Sequence, residues 1–155
     1  MQDNSIDGTH HIMRWVPKHK LRHDPETLEP IGPQPIAFQL RLDKSPPETY
    51  LSVSWVEHVT ATPDVQIKTT ATLLAKQVHT APNRGGAFAL GNVNAIKIEC
   101  KALSELDVVI VSTPKKTSPA YGQVWGILND DLALQSALAF GSWCKIVKAC
   151  DILKD

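Results

Sequence analysis

The sequence predicts an α+β fold: a single compact domain with a mostly antiparallel or mixed sheet, one central helix and a C-terminal helix. Three observations carry this. The chain has 155 residues, a length at which one hydrophobic core is stable and two would each be marginal. Its hydrophobic fraction of 43% is enough to fill that core. Its candidate strands come in groups rather than alternating with helices, which favours segregated α+β architecture over a wound parallel sheet.

The elements follow in chain order. Residues 1–9 are expected to form a disordered tail ahead of a domain spanning 10–155. "HIMRWV" (11–16) is a first strand, ended by Pro17. Pro25, Pro30, Pro33 and Pro35 each remove a backbone donor and disfavour helix in the preceding residue, so 24–35 is expected to be an extended loop. "IAFQLRL" (36–42) alternates and predicts a strand, followed by a turn at Pro46-Pro47. "YLSVSWVEH" (50–58) is the clearest strand. Leu51, Val53 and Trp55 share the face expected in the core, while Ser52 and Ser54 share a face that is wet or lines a cleft.

"DVQIKTTATLLAKQVH" (64–79) predicts a helix whose apolar stripe is Leu73, Leu74 and Val78. "NRGG" (83–86) is turn chemistry. The β-branched apolar runs "AIKIEC" (95–100), "DVVIVS" (107–112) and "GQVWGIL" (122–128) predict three more strands. From Asp130 to Ala149 the pattern predicts one helix, or two broken at Gly141, with Asp130 and Asp131 opposing the dipole at its start.

Composition excludes several function classes. Sixteen basic residues balance sixteen acidic ones, so the molecule has no long-range field, and charge-driven binding needs a local patch. The three cysteines, Cys100, Cys144 and Cys150, contain no C-x-x-C pair, so neither a disulfide framework nor a thiolate zinc site is expected. The start lacks a basic region followed by an apolar run, so no secretory signal is expected. The most apolar stretch, "LALQSALAFGSWCKIV", is too short and too polar to span a bilayer. A cytoplasmic protein without a membrane partner is expected.

The local patch is "THHIMRWVPKHKLRHDPE" (9–26), which holds four of the six histidines. His10 and His11 are adjacent and would point to opposite faces of a strand. His19 and His23 have helical i, i+4 spacing, but Lys20 and Arg22 between them place positive charge beside a would-be cation. No metal and no cofactor are therefore expected. Arg14, Lys18, Lys20 and Arg22, with His19 and His23, suit a phosphate or a nucleic-acid backbone, and Trp15 could stack on a base. The competing role is structural: Arg14 paired with a carboxylate such as Glu57, the other charges solvating a turn. The functional expectation is a binding or accessory module that contacts a phosphate-bearing ligand, nucleic acid or nucleotide, through this segment.

Catalytic motifs are incomplete. Ser54 and His58 are four strand residues apart, about 13 Å at the usual rise, and no G-x-S-x-G elbow surrounds either serine. "RGGAFALG" matches neither a dinucleotide fingerprint nor a P-loop. The order "HHIMRW", "SVSW" and Glu57 loosely resembles compact ADP-ribosyltransferases. That resemblance implies an NAD-consuming alternative in which Arg14, Ser52, Ser54 and Glu57 converge on one cleft. A third expectation, a non-catalytic subunit with a protein partner, rests on Trp15, Trp55, Trp125 and Trp143, because exposed aromatics mark interfaces.

Overall fold

The computed structural model describes residues 4–43, 45–77, 85–127 and 131–152. Within them lie strands β1 (His11–Val16), β2 (Leu21–His23), β3 (Pro30–Pro33), β4 (Tyr50–Trp55), β5 (Ala87–Asn92), β6 (Val109–Ser112), β7 (Tyr121–Trp125) and β8 (Lys145–Lys148). The helices are α1 (Pro63–Gln77), α2 (Val93–Ser104), α3 (Leu132–Phe140) and the short α4 (Ala149–Ile152). Six strands form one antiparallel sheet in the order β6-β7-β4-β1-β5-β8, and β2 and β3 form a separate antiparallel ribbon. The fold is therefore α+β, as expected.

Strand alternation sorts the core into two layers. Ile12, Val16, Leu51, Val53, Ala89 and Val124 belong to one buried cluster with Ile96 of α2, Leu134 and Leu138 of α3, and Trp143. Met13, Phe88 and Leu90 form a second cluster with Ala71 and Ala75 of α1 and with Ala149. Both faces of the sheet are thus covered, at least in its middle. This accounts for one departure from expectation. Met13 pairs with Ser54, so Ser54 shares the second, helix-covered face, and it is buried at 2% exposure. Trp55, at the end of its strand, is only half-buried.

Other elements differ from the sequence reading for identifiable reasons. Residues 95–100 are helical, not a strand. The Asn92 side chain caps α2 by accepting from the Ala95 N–H at 2.9 Å, and Val93, Ile96 and Cys100 are buried while Ile98 is 69% exposed. That is a one-sided burial pattern of helical period. Residues 36–42 form no strand: Pro35–Phe38 is a 3-10 turn that buries the consecutive residues Ala37 and Phe38. The 24–35 loop contains β3, whose prolines are tolerated because a two-stranded ribbon leaves donors unneeded on its outer edge.

Between residues 131 and 148 the C-terminal element is helical only over α3. It ends at Gly141, and the chain returns as β8 alongside β5. The β4 strand stops at Trp55, and Val56–His58 is a 3-10 turn. Residues 4–9, expected as a tail, lie on the fold: Ser5 bridges Val111, and Ile6 is buried with its N–H donating to the Ile110 carbonyl. Residues 78–79, 83–84 and 128–130 of the sequence-predicted elements fall outside the described residues.

Candidate functional site

The basic segment divides on folding. Arg14 Nε donates to the Ala37 carbonyl at 2.9 Å and Nη1 to the Ser52 carbonyl at 2.8 Å. Strands β1 and β4 pair directly only at Ile12 and Met13, so beyond that point the guanidinium supplies a donor that the neighbouring strand does not. Burial lowers its pKa from the ordinary value, and the charge of Glu48 opposes that shift. Arg22 Nε donates to Pro33 at 3.0 Å and Nη2 to Ala139 at 3.4 Å, with its guanidinium 4.2 Å over the Phe140 ring. Both arginines tie elements of the domain together. Lys20 is half-buried, and its pKa is lowered by that burial and by Arg14 and Arg41, against Glu48 and Asp43.

Lys18, His19 and His23 remain. With Pro17, Leu21 and Gln34 they frame a depression of about 550 Å³. Among the described residues no group of His, Cys, Asp or Glu is placed to hold a metal ion.

Glu57 is not the partner of Arg14. Its Oε2 lies 2.6 Å from His11 Nδ1, and its Oε1 accepts the His11 backbone N–H at 2.7 Å. Trp55 Nε1–H donates to His10 Nδ1 at 3.0 Å, and His58 Nδ1–H donates to the Trp55 carbonyl at 2.8 Å. These contacts close one end of β1 and β4. Arg14 therefore points to the first face of the sheet, Ser52 and Ser54 to the second, and Glu57 to His11. The four residues of the NAD-consuming alternative do not converge on one cleft.

A larger cleft, about 930 Å³, opens on the second face over β4 and β7, between the end of α1 and the 113–120 connection. Register assembles it: Ser52 pairs with Gln123 and Ser54 with Tyr121, so their side chains share that face. Hydroxyls come from Tyr50, Ser52, Ser54, Thr117, Ser118 and Tyr121, ammonium groups from Lys76 and Lys115, and among the described residues no carboxylate is in the lining. Lys115 and Ser118 exchange backbone hydrogen bonds at 3.0 Å in both directions, fixing the rim. Ser118 Oγ is buried without a hydrogen-bond partner among the described residues.

At its centre, the Ser52 and Tyr121 hydroxyls are 3.1 Å apart, and Lys115 Nζ stands 4.0 Å from the Tyr121 ring centroid. Burial resists ionisation of Tyr121, but hydrogen bonds with Ser52, Gln123 and Tyr50 and the charge of Lys115 outweigh it, and the phenol pKa is lowered. Tyr50 moves the other way, chiefly through its hydrogen bond to Tyr121. The alternation in 50–58 foretold the serine face. Lys115, Ser118 and Tyr121 were not singled out, because the polar "TPKKTSPAY" reads only as a turn and a strand start.

Compared with protein-family models, curated proteins and solved structures, the chain matches none.

Proposed function

We propose that this domain is a binding module for a small phosphate-bearing molecule held in the cleft over β4 and β7. One observation carries the reading: among the described residues, six hydroxyls and two ammonium groups line about 930 Å³ with no carboxylate. Such a lining attracts anions and can donate to several phosphate oxygens at once, and the volume suits a small ligand. This reading keeps the phosphate-bearing ligand expected from the sequence but assigns its contact to the cleft rather than to Arg14, Lys18, His19, Lys20, Arg22 and His23.

The test is calorimetric titration with inorganic phosphate and with a nucleoside monophosphate. Lys76→Ala is expected to weaken binding roughly tenfold, the loss of one charge-assisted hydrogen bond. No binding by the wild-type chain, or equal affinity of the variant, removes the reading.

A second reading concerns nucleic acid and rests on Lys18, His19 and His23, none of which bonds through its side chain to another described residue around their depression. A polyanion bound there releases counterions, so affinity falls steeply with salt. A Lys18→Ala, His19→Ala, His23→Ala variant is expected to lose that affinity. Unchanged affinity for single-stranded and duplex nucleic acid sinks this reading.

A further inference from the structure

We propose that Tyr121 is the acid–base residue of the cleft, its phenolate taking a proton from the carbon beside a carbonyl in a bound phosphate-bearing α-hydroxycarbonyl compound and then returning it. The inference rests on the reading of the cleft as a phosphate-ligand site and adds chemistry to it.

Two contacts favour the ionised form of this phenol. An ordinary tyrosine ionises near pH 10 and is almost never a base at neutral pH. Here Ser52 Oγ, 3.1 Å away, can donate to the phenolate, and Lys115 places its ammonium 4.0 Å from the ring centroid. The backbone that carries Lys115 is fixed by its paired hydrogen bonds with Ser118. Among the described residues that line the cleft, the titratable groups besides this phenol are Tyr50 from β4, Lys115 from the 113–120 connection and Lys76 from α1. Glu48 acts on Tyr50. The hydrogen bonds and the Lys115 charge together shift the Tyr121 phenol towards ionisation despite its burial.

The remaining lining divides the ligand between two ends. Lys76 stands on α1 and suits the phosphate, while Ser54 and the unpartnered Ser118 Oγ offer hydroxyls to the ligand's own oxygens. In the step itself the α-carbon C–H bond breaks and its proton forms the O–H bond of Tyr121. The electron pair becomes the carbon–carbon double bond of an enediolate, and the charge settles on the former carbonyl oxygen, where the Lys115 ammonium can hold it. Reversal returns a proton to carbon. No oxidant, reductant or cofactor is consumed.

The chain has only two tyrosines, so ultraviolet titration of tyrosinate resolves the phenol directly. The wild-type chain is expected to show one tyrosine ionising below the ordinary range. That transition should vanish in Tyr121→Phe and move up in Lys115→Met. The activity is read as deuterium incorporation into dihydroxyacetone phosphate in heavy water, followed by proton NMR. General acid–base catalysis contributes about 10²–10⁴-fold, so Tyr121→Phe should lose at least about 100-fold of the exchange while still binding inorganic phosphate. Lys76→Ala should raise the concentration needed for half-maximal exchange without moving the titration. A wild-type chain with both tyrosines in the ordinary range, or with exchange no faster than Tyr121→Phe, overturns the inference. Phosphate binding without exchange overturns the inference alone, whereas absence of both overturns the binding reading as well.

Discussion

Arg14 and Ser52 meet through the backbone: the guanidinium Nη1 donates to the Ser52 carbonyl at 2.8 Å, while the Ser52 hydroxyl, on the opposite face of the sheet, lies 3.1 Å from that of Tyr121. One residue of β4 thus joins a structural clamp on one side to the candidate site on the other. The clamp holds the strand at the point where β1 no longer pairs with it directly.

Replacing Arg14 by Met keeps the side-chain length but removes both donors. The Ala37 and Ser52 carbonyls then lose partners in a half-buried setting, which should cost about 2–4 kcal/mol. Arg14→Lys should recover little, because one ammonium cannot reproduce a planar fork that reaches two carbonyls. Urea unfolding of the three chains measures both differences, and near-wild-type stability of Arg14→Met would show that the clamp contributes nothing.

Val53 is 3% exposed within the first core cluster. Val53→Ala removes two methyl groups from a packed layer and should cost about 1–3 kcal/mol. The denaturation midpoint should fall with an unchanged slope, since the loss is local to the core.

At Gly122, an added Cβ would stand 2.8 Å from the Val111 carbonyl oxygen. That atom belongs to the backbone of the paired strand β6, so it cannot swing aside as a side chain would. Gly122→Ala is expected to cost about 1–3 kcal/mol through overpacking. Thermal unfolding checks this, and an unchanged midpoint would mean that β6 shifts freely.

Thiol reactivity should separate the cysteines. Burial, with Glu99 and Asp131 adding to it, pushes the Cys100 thiol up to about 11, whereas Cys150 is exposed. The thiolate is the reactive form. An aromatic disulfide reagent should modify Cys150 first and reach Cys100 only with denaturant. Prompt labelling of Cys100 in the native chain would contradict its place in the core.

Asp131 caps α3: its Oδ1 accepts the Leu134 N–H at 2.9 Å, and its Oδ2 accepts from the Ser104 hydroxyl. The Ser104 bond, then the Leu134 bond, lowers its pKa. A carboxyl depressed in the folded state stabilises fully above its unfolded pKa of about 3.9 and loses that contribution as pH falls through the lower folded value. Asp131→Ala should therefore cost about 1 kcal/mol at neutral pH, with the gap to wild type closing in strong acid. Stability curves measured from pH 7 to pH 2 give the comparison.

"HIMRWV" gave β1 to the residue, and the 64–79 pattern gave the helix α1 but not its buried face: Thr70, Ala71 and Ala75 are buried, the expected stripe residues Leu73 and Leu74 are half-buried, and Val78 lies outside the described residues. The run "AIKIEC" misled because β-branching argues for a strand while the deciding feature, the Asn92 cap, stands three residues upstream. "KIVK" was absorbed into a helix because its strand identity depends on β5, far away in sequence. For the site, alternation showed that Ser52 and Ser54 share a face. It could not show that β7 brings Tyr121 to the same place. Nor could it show that two arginines of the densest cationic segment would be used up on backbone carbonyls.

The position of β1 constrains how the chain can be assembled. β1 is an interior strand, and its register pairs Arg14 with Ala89, about 75 residues later. Until β4 and β5 exist, the nascent β1 has apolar residues on both faces, Ile12 and Val16 on one and Met13 and Trp15 on the other, with no strand to pair with. Closure of such distant pairs is entropically slow. Refolding should belong to the slow class of small domains, and ribosome-bound fragments ending before residue 87 should remain protease-sensitive and prone to association.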